Sequence, residues 1–528
     1  MARRLCNRLT PETAKLDPKS VKRLKYKEFA TKYFPHYFPG PWSLMHEDFG
    51  ERLTDWHTRR GRREWFIAPR DGSKTTHWSK IYPIFCAAYE LEMFMILAGH
   101  IATQPQRNLE AIRTELETNY ALARDFPHLC GTGRVWNASE IVTRNGIRIL
   151  TAARGKAIRG ATSGQYRPSL MIFDDLDDED SINTTEARDA AWKWLTSTAI
   201  PLGQAKHVNV CVIDTLKHED DVISKCGKTP GWFGKRYKSI IDWPVNRGLW
   251  TEWAAVYRQM TIDRNSGKIK ETDDPALAFY LKRQKAMDKG AKVLWPYRES
   301  PYDLMVYIQQ NGEKSFATEK QGETKAAAGT EWPAECFDES VILFTDWPTD
   351  RSEFAMACDP SKGKGRNSDP SAWVWGCRGE DGLIYVDADI RRRDAMDICK
   401  DGIKIALAFK PRAIGVEADS YGAIVELWGM VAEKLNCQHE LPPVLTIHSA
   451  DEKIRRIRNS LTKMLRNYRF RFRANSVGVG ILLAQLKGFP LPGEHDDGPD
   501  ALEMFLRLLL TLLSGGLNQD SGQERANV

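Results

Sequence analysis

The stretch "EWFIAPRDGSKTTHW", residues 64–78, joins a short apolar run to a small polar loop and a Lys-Thr pair. A strand, then such a loop, then the start of a helix is the arrangement that binds phosphate in P-loop proteins. Glycine is usual at the two positions that Ala68 and Ser73 hold here. The stretch predicts either a phosphate-binding loop of unusual composition or an ordinary strand–turn–helix.

The polar residues of this loop supply the groups that a nucleotide needs. Lys74 would neutralise the β- and γ-phosphates, and the Thr75 hydroxyl would bind Mg²⁺. Gly72 supplies flexibility one position earlier than usual. The residues expected to bind ATP are Arg70, Asp71, Gly72, Ser73, Lys74, Thr75 and Thr76.

A second segment, "PSLMIFDDLDDED" at residues 168–180, is an apolar strand that ends in two acids. Asp174 can hold the Mg²⁺ that Thr75 also binds, and Asp175 can orient or deprotonate the attacking water. An acidic loop capping a core strand is the alternative. The acids that follow are expected to form a solvated face or a helix N-cap: Asp177, Asp178, Glu179 and Asp180.

Two further features fit ATP hydrolysis. Thr215 follows the apolar strand of "HVNVCVID" (207–214), where its hydroxyl could sense the γ-phosphate. Arg154 or Arg159, in the loop "RGKAIRGATSGQYRP" (154–168), could reach a neighbouring subunit's nucleotide as a charge-stabilising finger. Arg70 is a competing finger in cis. A basic loop that faces solvent or nucleic acid has equal weight.

The C-terminal region carries acids at strand ends and at the start of a helix. Asp359 closes one strand, Glu417 lies on another, and Asp496, Asp497 and Asp500 fall in "GEHDDGPDALEMF" (493–505). Two divalent ions about 3.5–4 Å apart require carboxylates from several elements, and such ions cleave phosphodiesters. Oxygen ligands favour Mg²⁺ or Mn²⁺. Asp359, Glu417, Asp497 and Asp500 are the expected ligands, although each acid alone is as readily a cap or a surface residue. Outer positions or no role are expected for Asp369, Asp387, Asp389 and Asp419.

The chain of 528 residues is too long for one hydrophobic core. In the first half, apolar strands alternate with helical segments, which predicts a mainly parallel sheet with helices on both faces. In the second half, three consecutive strands predict an antiparallel meander, and later β/α units extend it into an RNase H-like α/β domain. We expect a P-loop NTPase domain with a helical N-terminal extension (1–325), a linker (326–345), a nuclease domain (346–515) and a disordered tail (516–528).

Composition excludes several classes of protein. A content of 42% hydrophobic and 28% charged residues is ordinary for a globular protein, and the net charge of +6 leans weakly towards an anionic partner. Ten cysteines without metal-ligand spacing favour reduced thiols and argue against structural zinc. The N-terminus has no apolar signal, and the longest apolar run, residues 505–513, is too short to span a bilayer. We expect a soluble cytoplasmic protein without membrane association.

Together these motifs resemble the large terminase subunit of tailed bacteriophages, in the family's order. The matching segments are "PRDGSKTT", "MIFDDLDDEDS", "IDTLKHEDDV", "VLWPYRESPYDLM", "SFATEKQGE", "IGVEADSYG" and "HDDGPDAL". The resemblance implies a DNA-packaging motor in the infected host's cytoplasm. Its partners would be double-stranded DNA, a small terminase subunit and the portal of a procapsid, on which the chain would form a homo-oligomeric ring, expected to be a pentamer.

The resemblance also implies roles residue by residue. Lys74 and Thr75 match the phosphate-loop pair, and Asp174 matches the magnesium acid. Asp175 stands where many members carry glutamate, and Thr215 stands at the coupling-motif position. The nuclease acids of the family are matched by Asp359, Glu417, and Asp497 or Asp500.

Two other functions are compatible with the same motifs. One is an RNase H-like resolvase or integrase whose N-terminal domain only binds a partner. The other is a non-catalytic adaptor between capsid and DNA. The first predicts that Lys74→Ala leaves all DNA-dependent activity intact, whereas a terminase would lose ATP hydrolysis. The second predicts neither cleavage of plasmid DNA with Mn²⁺ nor ATP hydrolysis, even with partners present.

Overall fold

The computed structural model describes residues 22–156, 166–182, 184–204, 206–324, 331–360, 369–448, 452–490 and 495–515. Within these limits the chain divides into two compact units. The first covers 1–245, 288–306 and 313–326, and the second covers 246–287, 307–312 and 327–528. Residues 246–287 thus group with the second unit, whereas the sequence-based boundary at 325 assigns them to the first. The expected tail and part of the expected linker lie outside the described residues.

The first unit is built on a twisted sheet in which most neighbouring strands are parallel. Its strand order is β3-β4-β5-β2-β6-β7-β1-β8, with antiparallel pairing only at β3–β4 and β4–β5. A short antiparallel pair, β9–β10, is separate. The strands are β1 (Arg63–Ile67), β2 (Phe94–Gly99), β3 (Val135–Trp136), β4 (Glu140–Val142), β5 (Arg148–Ala153), β6 (Leu170–Asp174), β7 (Asn209–Asp214), β8 (Phe233–Arg236), β9 (Ile240–Asp242) and β10 (Lys292–Val293).

Both faces of this sheet are covered, because successive residues of its central strands enter different cores. Along β2, Met95 and Leu97 belong to one hydrophobic cluster, while Phe94 and Ile96 belong to another. This confirms the predicted parallel sheet with helices on both sides. The helices around it are Tyr26–Tyr33, Leu44–Asp55, Tyr82–Ala88, Thr103–Thr118, Tyr120–Asp125, Glu179–Ile182, Thr185–Lys193 and Val222–Lys228. The helix Pro301–Glu319 contributes residues to both units.

The second unit contains the predicted meander. Strands β12, β13 and β14 pair antiparallel, and the other strands add in parallel in the order β11-β17-β14-β13-β12-β15-β16. The strands are β11 (Leu343–Phe344), β12 (Arg351–Asp359), β13 (Ser371–Gly379), β14 (Ile384–Arg391), β15 (Ala413–Glu417), β16 (Val444–Ile447) and β17 (Phe470–Arg473). The helices are Arg247–Asn265, Pro275–Met287, Glu339–Ile342, Ala395–Phe409, Ala418–Lys434, Lys453–Arg466, Val477–Gly488 and Asp497–Leu513.

In the second unit too, successive side chains of a strand point to opposite faces of the sheet and enter different hydrophobic clusters. On β12, Ala355 and Ala357 face the cluster that contains the final helix, and Met356 and Cys358 face the opposite cluster. The apolar run at 505–513 lies within that final helix and supplies much of the first cluster, as expected for a core helix. Among the helices of the described ranges, none is long and apolar enough to cross a membrane.

Candidate functional site

The phosphate-type loop connects β1 to a helix whose winding begins at Lys74. Within the loop, Asp71 (φ 63°) and Ser73 (φ 60°) adopt the left-handed conformation that glycine usually provides. Ser73 therefore takes over both the position and the backbone shape of the missing glycine. Gly72 is needed for space, since a Cβ there would lie 2.9 Å from the Pro69 carbonyl oxygen.

A buried histidine, His46, forms a hydrogen bond with the backbone of this loop. The His46 Nε2 donates a hydrogen bond to the Gly72 carbonyl at 2.8 Å, and its Nδ1 accepts one from the Ser43 amide at 3.2 Å. Burial lowers the pKa of His46 to about 4, so the ring is neutral near pH 7. The loop carbonyl is thus held by a neutral donor, and the positive charge nearby comes from Lys74.

Lys74 lies at the centre of the first site. Its side chain is largely buried, with Nζ 3.1 Å from the Thr215 Oγ1 and 3.4 Å from the Asp175 Oδ1. The three residues meet because β1, β6 and β7 run parallel and end at the same edge of the sheet. The structure thus brings together three of the residues expected to act on a nucleotide.

Asp174, at the end of β6, accepts two side-chain hydrogen bonds. The Thr75 Oγ1 donates to Oδ1 at 3.2 Å and the Ser79 Oγ donates to Oδ2 at 2.6 Å. Both hydroxyls reach one carboxylate from a helix that winds as a π-helix over Thr76–Ile81. Burial and the neighbouring Asp175 raise the pKa of Asp174 to about 6. A carboxylate and a hydroxyl on adjacent elements are ligands that suit Mg²⁺.

Asp175 differs from its neighbour in the direction of its pKa shift and in its backbone conformation. It has a φ of 49°, and its Oδ2 accepts a hydrogen bond from the Gln104 Nε2 at 3.2 Å. Burial alone would raise the pKa of Asp175, but Lys74 and Lys217 hold it below its usual range. Two adjacent carboxyls with pKa values displaced in opposite directions are suited to different roles. Asp175 therefore keeps its charge to lower pH than Asp174 does.

A buried ion pair positions Thr215. Lys217 contacts the Asp214 carboxylate through Nζ and also donates to the Thr215 carbonyl at 3.3 Å. The Asp214 Oδ1 in turn accepts from the Thr215 amide at 2.7 Å. Sequence reasoning missed this pair, although Asp214 and Lys217 flank the predicted sensor in "VIDTLKHEDD".

The three candidate fingers have different surroundings. The Arg154 guanidinium is held by neighbours within its own unit. It donates to the Leu176 carbonyl and to the Asp177 Oδ1, each at 2.9 Å, and lies 3.2 Å from the Asp178 Oδ1. Asp177 is 2% exposed, so the expectation of a solvated face is wrong there; the guanidinium and the Val222 amide hold it in the core. The Arg70 side chain is 69% exposed and lies 3.5 Å from the Glu319 carboxylate. Arg159 lies outside the described residues.

The second cluster of acids forms in the second unit. Because β12 and β15 are parallel neighbours, Asp359 and Glu417 end at the same edge of the sheet. The final helix begins at Asp497, and Asp500 follows one turn later. Burial raises the pKa of Asp359 to about 8; Lys453 opposes the rise, and the nearby carboxylates add to it. The expected acids are therefore close enough to repel one another.

A lysine that the sequence analysis did not single out lies among these acids. The Lys453 Nζ is 2.8 Å from the Asp496 Oδ1, 3.3 Å from the Asp500 Oδ2 and 3.6 Å from the Asp359 Oδ2. Arg456, one turn along the same helix, lies 2.7 Å from the Asp500 Oδ1. The only signal in the sequence was the density of basic residues in "EKIRRIRNSLTKMLR" (452–466).

The donor atoms of the second site are of the kind that a divalent ion requires. As the side chains stand, no three acidic, histidine or cysteine groups within the described residues are gathered closely enough to hold a metal ion. The chemistry nevertheless fits, because the donors are carboxylates, and the buried Oδ2 of Asp497 makes no hydrogen bond within the described part of the chain. His495 Nδ1 lies 3.8 Å from that oxygen.

The acids expected to be peripheral have other partners. The Asp387 Oδ1 accepts from the Ser476 Oγ at 2.6 Å, and the Asp389 Oδ2 accepts from the Arg393 Nη1 at 2.6 Å. Asp369 lies 3.2 Å from the His495 Nδ1. The Asp419 side chain lies outside the described residues.

Comparison with known proteins gives a fold. No protein-family model and no curated protein matches the chain. Among solved structures, the large terminase of a thermophilic bacteriophage matches with a TM-score of 0.52 at 11% identity, covering 89% of this chain and 100% of that one. A crystal form of the same terminase in complex with ADP gives 0.51 at 12% identity, with the same coverage. The chain has the two-unit α/β fold of a phage large terminase.

Proposed function

We propose that this chain is the ATP-driven motor and nuclease that packages double-stranded phage DNA into a procapsid. The observation that carries the proposal is the presence of two separate sets of phosphate-directed residues in one chain with this fold. One set lies around Lys74 in the first unit, and the other lies around Asp359 in the second.

In the first site, Lys74 would contact the β- and γ-phosphates of ATP, and Thr75 with Asp174 would hold Mg²⁺, which would neutralise charge on the phosphates. Asp175 orients the attacking water and accepts its proton. Arrival of the γ-phosphate draws the Lys74 ammonium away from Asp175 and from the Thr215 hydroxyl. That exchange of partners gives Thr215 a direct means of sensing the nucleotide. Arg70 or Arg159 supplies the finger.

In the second site, Asp359, Glu417, Asp497 and Asp500 would hold the divalent ions, Mg²⁺ or Mn²⁺, and these ions would supply an activated water and stabilise the leaving oxygen of a phosphodiester. Asp497 is the strongest candidate for direct ligation, because its Oδ2 makes no hydrogen bond within the described residues. The product is a cut in concatemeric DNA. Binding of DNA is sequence-independent and weakens with salt, since phosphate contacts dominate it.

The motor acts as a homo-oligomeric ring on the portal, receives DNA from a small terminase subunit and works in the cytoplasm of the infected host. A ring places a finger of one copy near the nucleotide of the next. This assembly is part of the proposal and follows from the family that the fold resembles.

A pair of variants tests the two activities separately. Lys74→Ala should abolish ATP hydrolysis and leave cleavage of plasmid DNA with Mn²⁺ intact, whereas Asp359→Asn should do the reverse. ATP turnover is measured by phosphate release, and cleavage by gel electrophoresis. Cleavage that is unchanged in Lys74→Ala, in a protein whose wild type hydrolyses no ATP, would favour a resolvase or integrase with a non-motor domain. Neither activity in the wild type, with partners present, would favour an adaptor.

A further inference from the structure

The Lys453 ammonium group occupies the position in the second site where carboxylates from different elements converge. Asp359 ends β12, Asp496 precedes the final helix, and Asp500 lies in its first turn. The Lys453 Nζ lies 2.8–3.6 Å from an oxygen of each. Lys453 opens the helix Lys453–Arg466, so its backbone is fixed while its side chain, 38% exposed, can still move.

The same oxygens cannot serve the lysine and a divalent ion together. Mg²⁺ binds carboxylate oxygens at about 2.0–2.1 Å and requires nearly octahedral geometry. An ammonium group among those oxygens fills the space and satisfies the charge that would attract the ion. The absence of a compact metal-ligand group among the described residues is explained if the acids are arranged around this cation. Within the described residues the ion pairs of the lysine are with Asp359, Asp496 and Asp500, and the buried Oδ2 of Asp497 makes no hydrogen bond there.

We propose that Lys453 is a tethered cation that competes with divalent ions for the second site and leaves when the site takes its full metal complement. The inference rests on the nuclease half of the proposed function. It gives a physical reason for the site to stay inactive until metal arrives together with DNA. A DNA phosphate offers the displaced ammonium a new anionic partner.

Arg456 has a different role and does not substitute for the lysine. It is buried, and its guanidinium joins Asp500 at 2.7 Å to Glu503 at 2.5 Å. That contact fixes the side of Asp500 that faces away from Lys453. Displacement of Lys453 therefore leaves Asp500 oriented and frees its other oxygen.

The test measures Mn²⁺ binding to the full-length protein by isothermal titration calorimetry, with electron paramagnetic resonance to count bound ions. Lys453→Gln removes the competing charge and should tighten binding at this site about tenfold or more, since a unit charge at such a distance is worth more than one decade of affinity. Lys463→Gln is the matched control: it makes the same change about 15 Å further along the same helix and should bind as the wild type does. Lys453→Arg keeps the charge and should not tighten binding.

Asp497→Asn distinguishes Mn²⁺ bound at the second site from Mn²⁺ bound elsewhere. Ions that bind the wild type but not this variant belong to the second site. If Asp497→Asn removes bound Mn²⁺ but Lys453→Gln binds no more tightly than the wild type, competition by Lys453 is refuted and the nuclease proposal stands. Equal tightening in Lys453→Arg and Lys453→Gln would also refute it, because charge would not be the cause. If neither the wild type nor Lys453→Gln binds Mn²⁺ at a position sensitive to Asp497→Asn, the nuclease proposal itself fails. Thermal melts followed by circular dichroism establish that each variant is folded.

Discussion

The Ser79 hydroxyl is expected to set the charge state of the magnesium acid, and Ser79→Ala tests this directly. The Ser79 Oγ donates to the Asp174 Oδ2 at 2.6 Å, a length typical of a hydrogen bond to an ionised oxygen. A hydrogen bond of this kind contributes about 1.5–3 kcal/mol. At 1.36 kcal/mol per pKa unit, its loss should raise the pKa of Asp174 by about 1 to 2.

This increase starts from a pKa of about 6, because burial and Asp175 already disfavour the charged form. In the variant, Asp174 becomes half to nine-tenths protonated at about pH 7, and a protonated acid is a poor ligand for Mg²⁺. We expect kcat/KM for ATP hydrolysis to fall about two- to tenfold at pH 7, with the acidic limb of the pH–rate profile displaced upward by about 1 to 2 pH units. Raising the pH should restore most of the loss.

The assay is steady-state phosphate release at a fixed, sub-saturating concentration of Mg²⁺ over a range of pH. Thr118→Ala is a matched control, because its hydroxyl donates to the Thr114 carbonyl of its own helical turn, away from Asp174. A variant with wild-type rates throughout the profile would refute the assigned role of Ser79. So would a loss that is equally large at every pH, because protonation of Asp174 would then not be its cause.

Two further outcomes follow from buried charges. Arg154→Ala should destabilise the first unit by about 3 kcal/mol or more in thermal unfolding, because Asp177 is left buried without its guanidinium; unchanged stability with lost ATP hydrolysis would instead identify Arg154 as the finger. Without divalent ions, folded Asp359 retains its proton up to about pH 8, whereas an unfolded aspartate releases it near pH 4. The folded state thus binds the extra proton in this window, and stability falls as the pH rises through it. The fall in melting temperature should be smaller in Asp359→Asn, and a steeper fall there would contradict the assignment.

Apolar patterning predicts the central strands of the sheets. The runs that form β2, β6 and β7 are mainly apolar segments, as expected of strands buried on both faces. The meander of the second unit was recognisable from its short connections. Strand β17 escaped prediction because its sequence, "FRFR", alternates arginine with phenylalanine, and burial of Arg471 has no signal in composition.

The acids at strand ends were predictable for the same reason, since parallel strands bring their carboxyl ends to one edge. The side chains that form hydrogen bonds or ion pairs with these acids were not predictable. Ser79 lies four residues after Thr75 and so shares its face of the helix, but the sequence does not show that this face meets Asp174. Long side chains such as those of Arg154 and Lys453 reach several possible neighbours, and tertiary packing decides which one they contact.

The π-helical turn at Thr76–Ile81 also affects how relatives should be aligned. A π-helix closes its hydrogen bonds five residues apart, so the turn holds about one residue more than an α-helix of the same length. A position-by-position alignment with a phosphate-loop chain whose helix is α-helical throughout would slip by one residue after Thr75. Buried Trp78 and Tyr82 would then be matched to residues on the wrong face. An alignment gap of one residue inside this turn keeps both the loop and the helix core in register.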